Sequence, residues 1–93
     1  MFTFELLNEL IKFDAETPLF RGVWGKLSRI QVLMENGMMI LEEDTQGTVK
    51  TVGELRQLIG KFDDMPVFLT EGGGSLEKIN QVVSESSMCV IRD

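Results

Sequence analysis

The sequence predicts a single small α+β domain built from two similar halves, each a helix followed by three strands. Its length of 93 residues is typical of one compact domain. Two segments, beginning at Thr3 and Thr51, show the same order of helix, strand and turn signals. Between them, the stretch RIQVLMENGMMILEED has the alternating apolar pattern and the Asn-Gly pair of a β-hairpin.

The two halves are related by residues that match at a nearly constant spacing. Those that recur 48 positions later are Thr3, Leu7, Leu10, Ile11, Pro18, Phe20 and Gly25. After one inserted residue, those that recur 49 positions later are Leu27, Ile30, Met39 and Asp44. We therefore predict a tandem αβββ duplication within residues 1–93, with pseudo-repeats over residues 3–44 and 51–93 and a linker over residues 45–50.

Each half begins with an amphipathic helix. In the second half, Thr51 and Glu54 have the spacing of a capping box, in which two side chains bond free backbone N–H groups. The apolar residues that then recur at helical spacing are Val52, Leu55, Leu58, Ile59 and Phe62, and in the first half Phe4, Leu7, Leu10 and Ile11. Pro18 and Pro66 prevent the two helices from continuing.

A short strand and a hairpin follow each helix. The runs PLFRG and PVFLTE predict the two strands. Asn36-Gly37 predicts a two-residue type I′ turn, which pairs Met34 with Met39 and Arg29 with Asp44. The second hairpin, KINQVVSESSMCVIRD, has Ser and Glu where the first has Asn-Gly. We expect an antiparallel sheet with both helices on one of its faces.

The inward positions of these elements predict the core. The side chains expected there are Leu7, Leu10, Ile11, Ile30, Val32, Leu41, Leu55, Leu58, Ile59, Val67 and Ile79. On the other face of the first hairpin, Leu33 lies opposite Ile40. Together with Met38 beside the turn, these two residues predict an exposed apolar patch of the kind that marks a dimer interface or a partner site.

The composition argues against several classes of function. A net charge of −6 and a pI near 4.6 disfavour direct binding to nucleic acid. The chain has no His and no Tyr, and so lacks the usual general base and the commonest ligand of transition metals. Its single cysteine, Cys89, lies in the apolar run MCVI, which favours a packing role. We expect no enzymatic activity, no metal and no cofactor.

Gly72–Gly74 raise the question of a phosphate-binding loop. Such a loop leads from a strand into a helix whose N-terminus holds the anion. Here the following stretch, SLEKI, predicts a short strand, and Glu71 would repel an anion. A flexible loop between strands is the favoured interpretation.

The sequence also predicts an intracellular location. No run of about 18 apolar residues is present to cross a membrane. The first residues, MFTFELLNELIKF, contain Glu5 and Glu9 and no basic leader, unlike a signal peptide. A single cysteine excludes a disulfide framework within the chain. We expect a cytoplasmic protein without a membrane span.

The stretch TVGELRQLIGKFDDMPVFLTEGGG, residues 51–74, resembles a segment common in small phage and prophage proteins of unknown function. In such segments a short amphipathic helix ends in Asp, a residue followed by Pro-Val begins a strand, and a glycine loop follows. The resemblance implies an origin in a mobile element. It also implies an inhibitor that binds a host protein, of the anti-CRISPR or another anti-defence type.

Two hypotheses for the function remain open. The first is a non-enzymatic protein-binding module that inhibits a host defence or nucleic-acid-binding protein by occupying its basic surface. An acidic surface with an apolar anchor would serve this role. The residues expected to form it are Trp24, Leu33, Met38, Ile40, Glu42, Asp44, Asp63 and Asp64. The second is a structural or assembly protein whose apolar patch forms a homodimer, with the acids scattered over the surface. Trp24 has an alternative role as a loop aromatic that covers the core.

Overall fold

Along residues 1–71 and 74–93, which the computed structural model describes, the chain forms two helices and eight strands. Helix α1 spans Thr3–Leu10 and helix α2 spans Val52–Ile59. The strands are β1 (Pro18–Val23), β2 (Lys26–Glu35), β3 (Met38–Asp44), β4 (Lys50–Thr51), β5 (Val67–Thr70), β6 (Leu76–Lys78), β7 (Gln81–Glu85) and β8 (Met88–Arg92). Gly72 and Gly73 of the predicted glycine loop lie outside the described residues.

The strands form one mixed sheet in the order β6-β5-β3-β2-β1-β8-β7, with β4 paired to β1. The prediction of a wholly antiparallel sheet is wrong, because β1 pairs with β8, and β3 with β5, in parallel. A parallel pair needs a long crossover connection. The chain between β3 and β5 supplies one, because it contains α2. The α+β class holds, with strand the larger component.

The two edge strands of the sheet are neighbours in the chain. Strands β6 and β7 stand at the two ends of its order, yet only Ile79 and Asn80 separate them in the chain. Together they correspond to the long strand β2. The first residues of β2 pair with β1, and its later residues pair with β3. In the same way, β6 pairs with β5, and β7 pairs with β8. The second half therefore repeats the strand pairings of the first. Lys50 of the predicted linker belongs to β4, which pairs with β1.

The predicted hairpin register is confirmed. Met34 pairs with Met39, and Arg29 with Asp44. Asn36 and Gly37 have φ angles of 52° and 75°, as a type I′ turn requires. In the second hairpin, Ser86 and Ser87 also have positive φ angles, 48° and 65°, so the turn has the same form without the Asn-Gly pair. The two hairpins therefore align at a spacing of 50 residues, and the predicted match of Met39 with Met88 is wrong, because Met88 pairs with Glu85 as Met38 pairs with Glu35.

Helix α1 is rotated relative to the prediction. Its buried residues are Thr3, Leu6 and Leu10, while Phe4 is half exposed and the predicted core residue Ile11 is 56% exposed. The N-cap is Phe2, so the position equivalent to the cap Thr51 lies 49 residues before it and not 48. Helix α2 buries the equivalent positions, Val52, Leu55 and Ile59, which lie 49 residues further along.

The core joins both helices to the inner surface of the sheet. Seven of its predicted members are buried: Leu10, Ile30, Leu41, Leu55, Ile59, Val67 and Ile79. Leu7, Val32 and Leu58 are partly buried against it, and Phe62, beyond the end of α2, is exposed. The two helices contact each other. In the described part of the chain, neither helix has the length and apolar character needed to cross a membrane.

Candidate protein-binding surface

The outer surface of β2, β3 and β5, here called the first face, contains the predicted apolar patch. Leu33 pairs with Ile40, and Ile40 pairs on its other side with Phe68. Leu33 and Phe68 are partly buried, but Ile40 is only 5% exposed. The prediction that Ile40 is exposed is wrong, because the parallel β3–β5 pair places Phe68 beside it. The result is a row of three apolar side chains with its centre covered.

Two carboxylates flank this row on the first face. Side chains alternate along a strand, so Glu35 shares the face of Leu33, and Glu42 shares the face of Ile40. Neither carboxylate has an ion-pair partner among residues 1–71 and 74–93. The first face is therefore apolar in its centre and negative at both ends, and the exposed Lys78 of β6, which pairs with Phe68, adds one positive charge at its edge.

The outer surface of β7, β8 and β1, the second face, carries the equivalent row. Val83 pairs with Val90, and Val90 with Phe20. On this face Arg92 and Glu85 form an ion pair across the row. The Nε and Nη2 groups of Arg92 donate hydrogen bonds to Glu85 Oε2 and Oε1, at 2.6 and 2.8 Å. Val90, between these two residues, is fully buried.

Two observations support the ion pair: the pKa shifts of its two residues, and the room that a neighbouring glycine leaves for it. Hydrogen bonds from Arg92 lower the pKa of Glu85, and hydrogen bonds to Glu85 raise the pKa of Arg92. Gly22 on β1 leaves room for the guanidinium group, because a Cβ at that position would lie 2.6 Å from Arg92 Nη1. On the first face, Thr70 of β5 takes the place of Gly22. On the second face, the side chain of Arg92 thus crosses the apolar row and covers it; we call this face closed.

Trp24 lies away from both rows. It is 72% exposed in the tight turn between β1 and β2, where its backbone N–H bonds Asp93 Oδ2 at 3.1 Å. It does not cover the core. The seven steps along β2 from Lys26 to Leu33 span about 23 Å, so the structure does not bring Trp24 to the first face. Met38 is partly buried beside the Asn36-Gly37 turn, in a shallow pocket with Phe62.

The four predicted acidic residues do not share one surface. Glu42 and Asp44 lie on the outer side of β3, near its C-terminal end. Asp63 and Asp64 come before β5, whose first residue pairs with Met39 at the opposite end of β3. Five steps along a strand separate the two pairs by about 16 Å. The two acidic pairs therefore lie near opposite ends of β3.

Two of these acids have structural roles. Asp44 Oδ1 accepts hydrogen bonds from the backbone N–H groups of Gln46 and Gly47, at 3.0 and 2.7 Å, and these bonds lower its pKa. Asp64 Oδ1 accepts hydrogen bonds from the backbone N–H of Phe4 and from Thr3 Oγ1, at 3.0 and 3.2 Å. Asp64 therefore caps helix α1 from the other half of the chain.

The sequence analysis missed a buried cation, Arg21, although its charge within the apolar run PLFRGV was a visible signal. Its side chain is inside the sheet and the residue is 4% exposed. Nη1 donates to the carbonyl oxygen of Leu41 at 2.7 Å, and Nη2 donates to the carbonyl oxygen of Thr70. Burial lowers the pKa of Arg21, while Glu43 and Glu42 act to raise it. These contacts join β1 to β3 and β5, which is a structural role.

Two observations bear on catalysis and metal binding. Cys89 is buried, and desolvation raises the pKa of its thiol to about 11, which suppresses the reactive thiolate. Within residues 1–71 and 74–93, no group of three or more Cys, Asp or Glu side chains is placed to hold a metal ion.

No family model, curated protein or solved structure matches the chain. The contrast between the two faces is therefore the main guide to its function.

Proposed function

We propose that the protein is a non-enzymatic protein-binding module, and that its first face binds a basic surface of a partner protein. The observation that carries this proposal is the row of Leu33, Ile40 and Phe68 between two unpaired carboxylates, Glu35 and Glu42. The edges of the row offer apolar contact area, and the carboxylates favour a positively charged partner. The net charge of −6 adds long-range attraction to such a surface.

In this proposal the partner is a host protein, and the module is an inhibitor of the phage anti-defence type acting in the host cytoplasm. The resemblance of residues 51–74 to segments of phage and prophage proteins supports this extension. A negative module that covers a basic groove would compete with nucleic acid, because phosphate binding depends on the same Lys and Arg side chains. The module itself makes no direct contact with nucleic acid.

The proposal includes an origin by duplication of one αβββ unit. The repeated strand pairings support it, as do the two hairpin turns with positive φ angles at both central residues. After duplication, the second face retained or acquired its closing ion pair, and the first face became available for a partner. At the ends of the two apolar rows, the copies differ in that Glu42 stands where the second face has Arg92.

A second candidate function is assembly through homo-oligomers. The observation that favours it lies on the helical side of the molecule, where Phe2, Phe4 and Phe62 are 46%, 48% and 43% exposed. Exposed aromatic residues that form one contiguous patch would mark a self-association surface. Light scattering coupled to size-exclusion chromatography separates the two functions. A monomer is expected for the binding module, and a stable dimer for the assembly protein.

Capture from host lysate tests the binding module directly. The baits are the wild-type protein, Glu42→Arg on the first face, and Glu16→Arg as a control with the same charge change on an exposed loop. We expect the wild type and Glu16→Arg to retain one host protein in stoichiometric amount and Glu42→Arg to lose it. Equal capture by all three baits contradicts the assigned surface. No captured protein, together with a dimeric chain, favours assembly.

A further inference from the structure

We propose that the first face recognises an arginine side chain of the partner protein, held between Glu35 and Glu42 with its aliphatic stem against the partly buried Leu33 and Phe68. This inference rests on the proposed function and adds the chemistry of the partner. The second face supports this inference, because it contains an arginine, Arg92, in an equivalent arrangement.

The second face shows why arginine suits such a row. Arg92 lies on the outer side of β8 and reaches Glu85 across Val90, with two parallel hydrogen bonds to one carboxylate. This fork geometry is specific to the guanidinium group, because an ammonium group acts as a point charge. The methylene groups of arginine also cover apolar surface while the charged end remains paired.

The first face has a carboxylate equivalent to Glu85, which could accept these hydrogen bonds, but it has no arginine equivalent to Arg92 to donate them. At a spacing of 50 residues, Glu35 takes the place of Glu85, and Glu42 takes the place of Arg92. The row is equivalent too, because Ile40 pairs with its neighbours as Val90 does. Where the second face has a carboxylate and a guanidinium, the first has two carboxylates.

An external guanidinium would complete the first face. A cation placed between the two carboxylates is attracted by both of them. Thr70 stands where Gly22 makes room for Arg92, so the incoming group is held further out, between the two carboxylates. The partner segment therefore presents an arginine that projects from its surface.

Titration with matched peptides tests this inference. The probes are an acetylated, amidated hexapeptide of alternating glycine and arginine, and the same peptide with lysine in place of arginine. Methyl and backbone NMR signals of the intact protein report the site. We expect the arginine peptide to shift signals of Leu33 and Ile40, and to bind about three- to tenfold tighter than the lysine peptide. Equal affinity for the two peptides, or shifts spread over all acidic residues, would overturn the inference.

Variants of the two faces sharpen the test. Glu42→Gln is expected to weaken binding of the arginine peptide about three- to tenfold, with no change in Glu16→Gln. Glu42→Arg places an arginine opposite Glu35, as Arg92 lies opposite Glu85, and should abolish binding. Arg92→Glu opens the second face and should create a second site that shifts Val83 and Val90. Far-UV circular dichroism checks the fold, and binding retained by a folded Glu42→Arg contradicts the inference.

The two proposals fail in different ways. If neither peptide binds while Glu42→Arg still releases a captured host protein, the arginine inference is wrong and the binding module stands. If the arginine peptide binds at Leu33 and Ile40 but the wild type captures no host protein, the face recognises arginine and the proposed function is wrong.

Discussion

Replacing Asp64 by alanine should destabilise the fold by removing the cap of helix α1. Phe2, the N-cap residue, has no side-chain acceptor, and its own N–H is bonded by Glu5 at 2.9 Å. The missing acceptor comes from Asp64, which bonds the N–H of Phe4 and the hydroxyl of Thr3. Thr3 Oγ1 in turn accepts a hydrogen bond from the N–H of Met65 at 3.2 Å. The carboxylate thus supports both the helix start and a link between the two halves.

The expected magnitude follows from these contacts. Loss of an N-cap costs about 0.5–2 kcal/mol, and loss of a negative charge near a helix N-terminus costs about 0.3–1 kcal/mol. We expect a decrease of about 1–2.5 kcal/mol in the free energy of unfolding, against a total of roughly 5–14 kcal/mol for a domain of this length. The melting temperature should fall by about 5–15 °C.

Urea denaturation followed by far-UV circular dichroism measures this change, since the single tryptophan is largely exposed and reports poorly on the core. Asp63→Ala is the matched control. It removes the same charge from the adjacent exposed residue, which makes no side-chain hydrogen bond with another described residue. We expect its effect to stay below about 0.5 kcal/mol. If Asp63→Ala destabilises the protein as much as Asp64→Ala, the capping role of Asp64 is refuted.

Three further predictions concern the core, the cysteine and the closing ion pair. Leu6→Ala should cost about 2–5 kcal/mol because Leu6 is fully buried, and Ile11→Ala less than about 1 kcal/mol; the reverse order in urea denaturation would contradict the orientation of α1. Cys89 should not react with a thiol reagent at pH 8 until the protein unfolds, because burial raises its pKa to about 11; rapid labelling of the native protein would disprove this. Arg92 lowers the pKa of Glu85 below its usual value of 4.5, so their ion pair stabilises the fold above that pH and loses this effect as the pH falls through the lowered pKa. The difference in unfolding free energy between the wild type and Arg92→Gln should therefore shrink below pH 4.5, and a difference that grows in acid would contradict the assignment.

Local signals predicted the first hairpin well. Asn36-Gly37 specifies a two-residue turn, and such a turn determines every pair in the hairpin. The helix orientation was less secure, because several apolar residues of α1 fit a helical stripe. Alignment of Thr3 with Thr51 led to the choice of Ile11, whereas the caps Phe2 and Thr51 are the equivalent positions. A shift of one residue rotates a helix by about 100°, which is enough to move Ile11 out of the core and Leu6 into it.

Long-range pairing was not visible in the sequence. The parallel pairs β3–β5 and β1–β8 join segments that are distant in the chain, and no local turn specifies them. These pairs bury Ile40 beside Phe68 and set Asp63–Asp64 at the far end of β3 from Asp44. These long-range pairs therefore determine the burial of Ile40 and the separation of the two acidic pairs.

The sequence contains one further signal for the site, which is the alignment of its two hairpins. The two hairpins align at a spacing of 50 residues, which places Glu42 on Arg92 and Glu35 on Glu85. This alignment exposes a charge reversal between otherwise similar strands. The sequence alone does not show that Arg92 bonds Glu85 across Val90, and this contact gives the charge reversal its significance.

The most direct test of the binding surface compares the two faces in one NMR experiment. The captured partner is added to the protein, and the methyl signals of Leu33 and Ile40 are followed beside those of Val83 and Val90. We predict that Leu33 and Ile40 shift or broaden at stoichiometric partner, while Val83 and Val90, closed by their own arginine, do not. Perturbation centred on Trp24 or on Phe2 and Phe4, with Leu33 and Ile40 unchanged, would contradict the assignment of the first face.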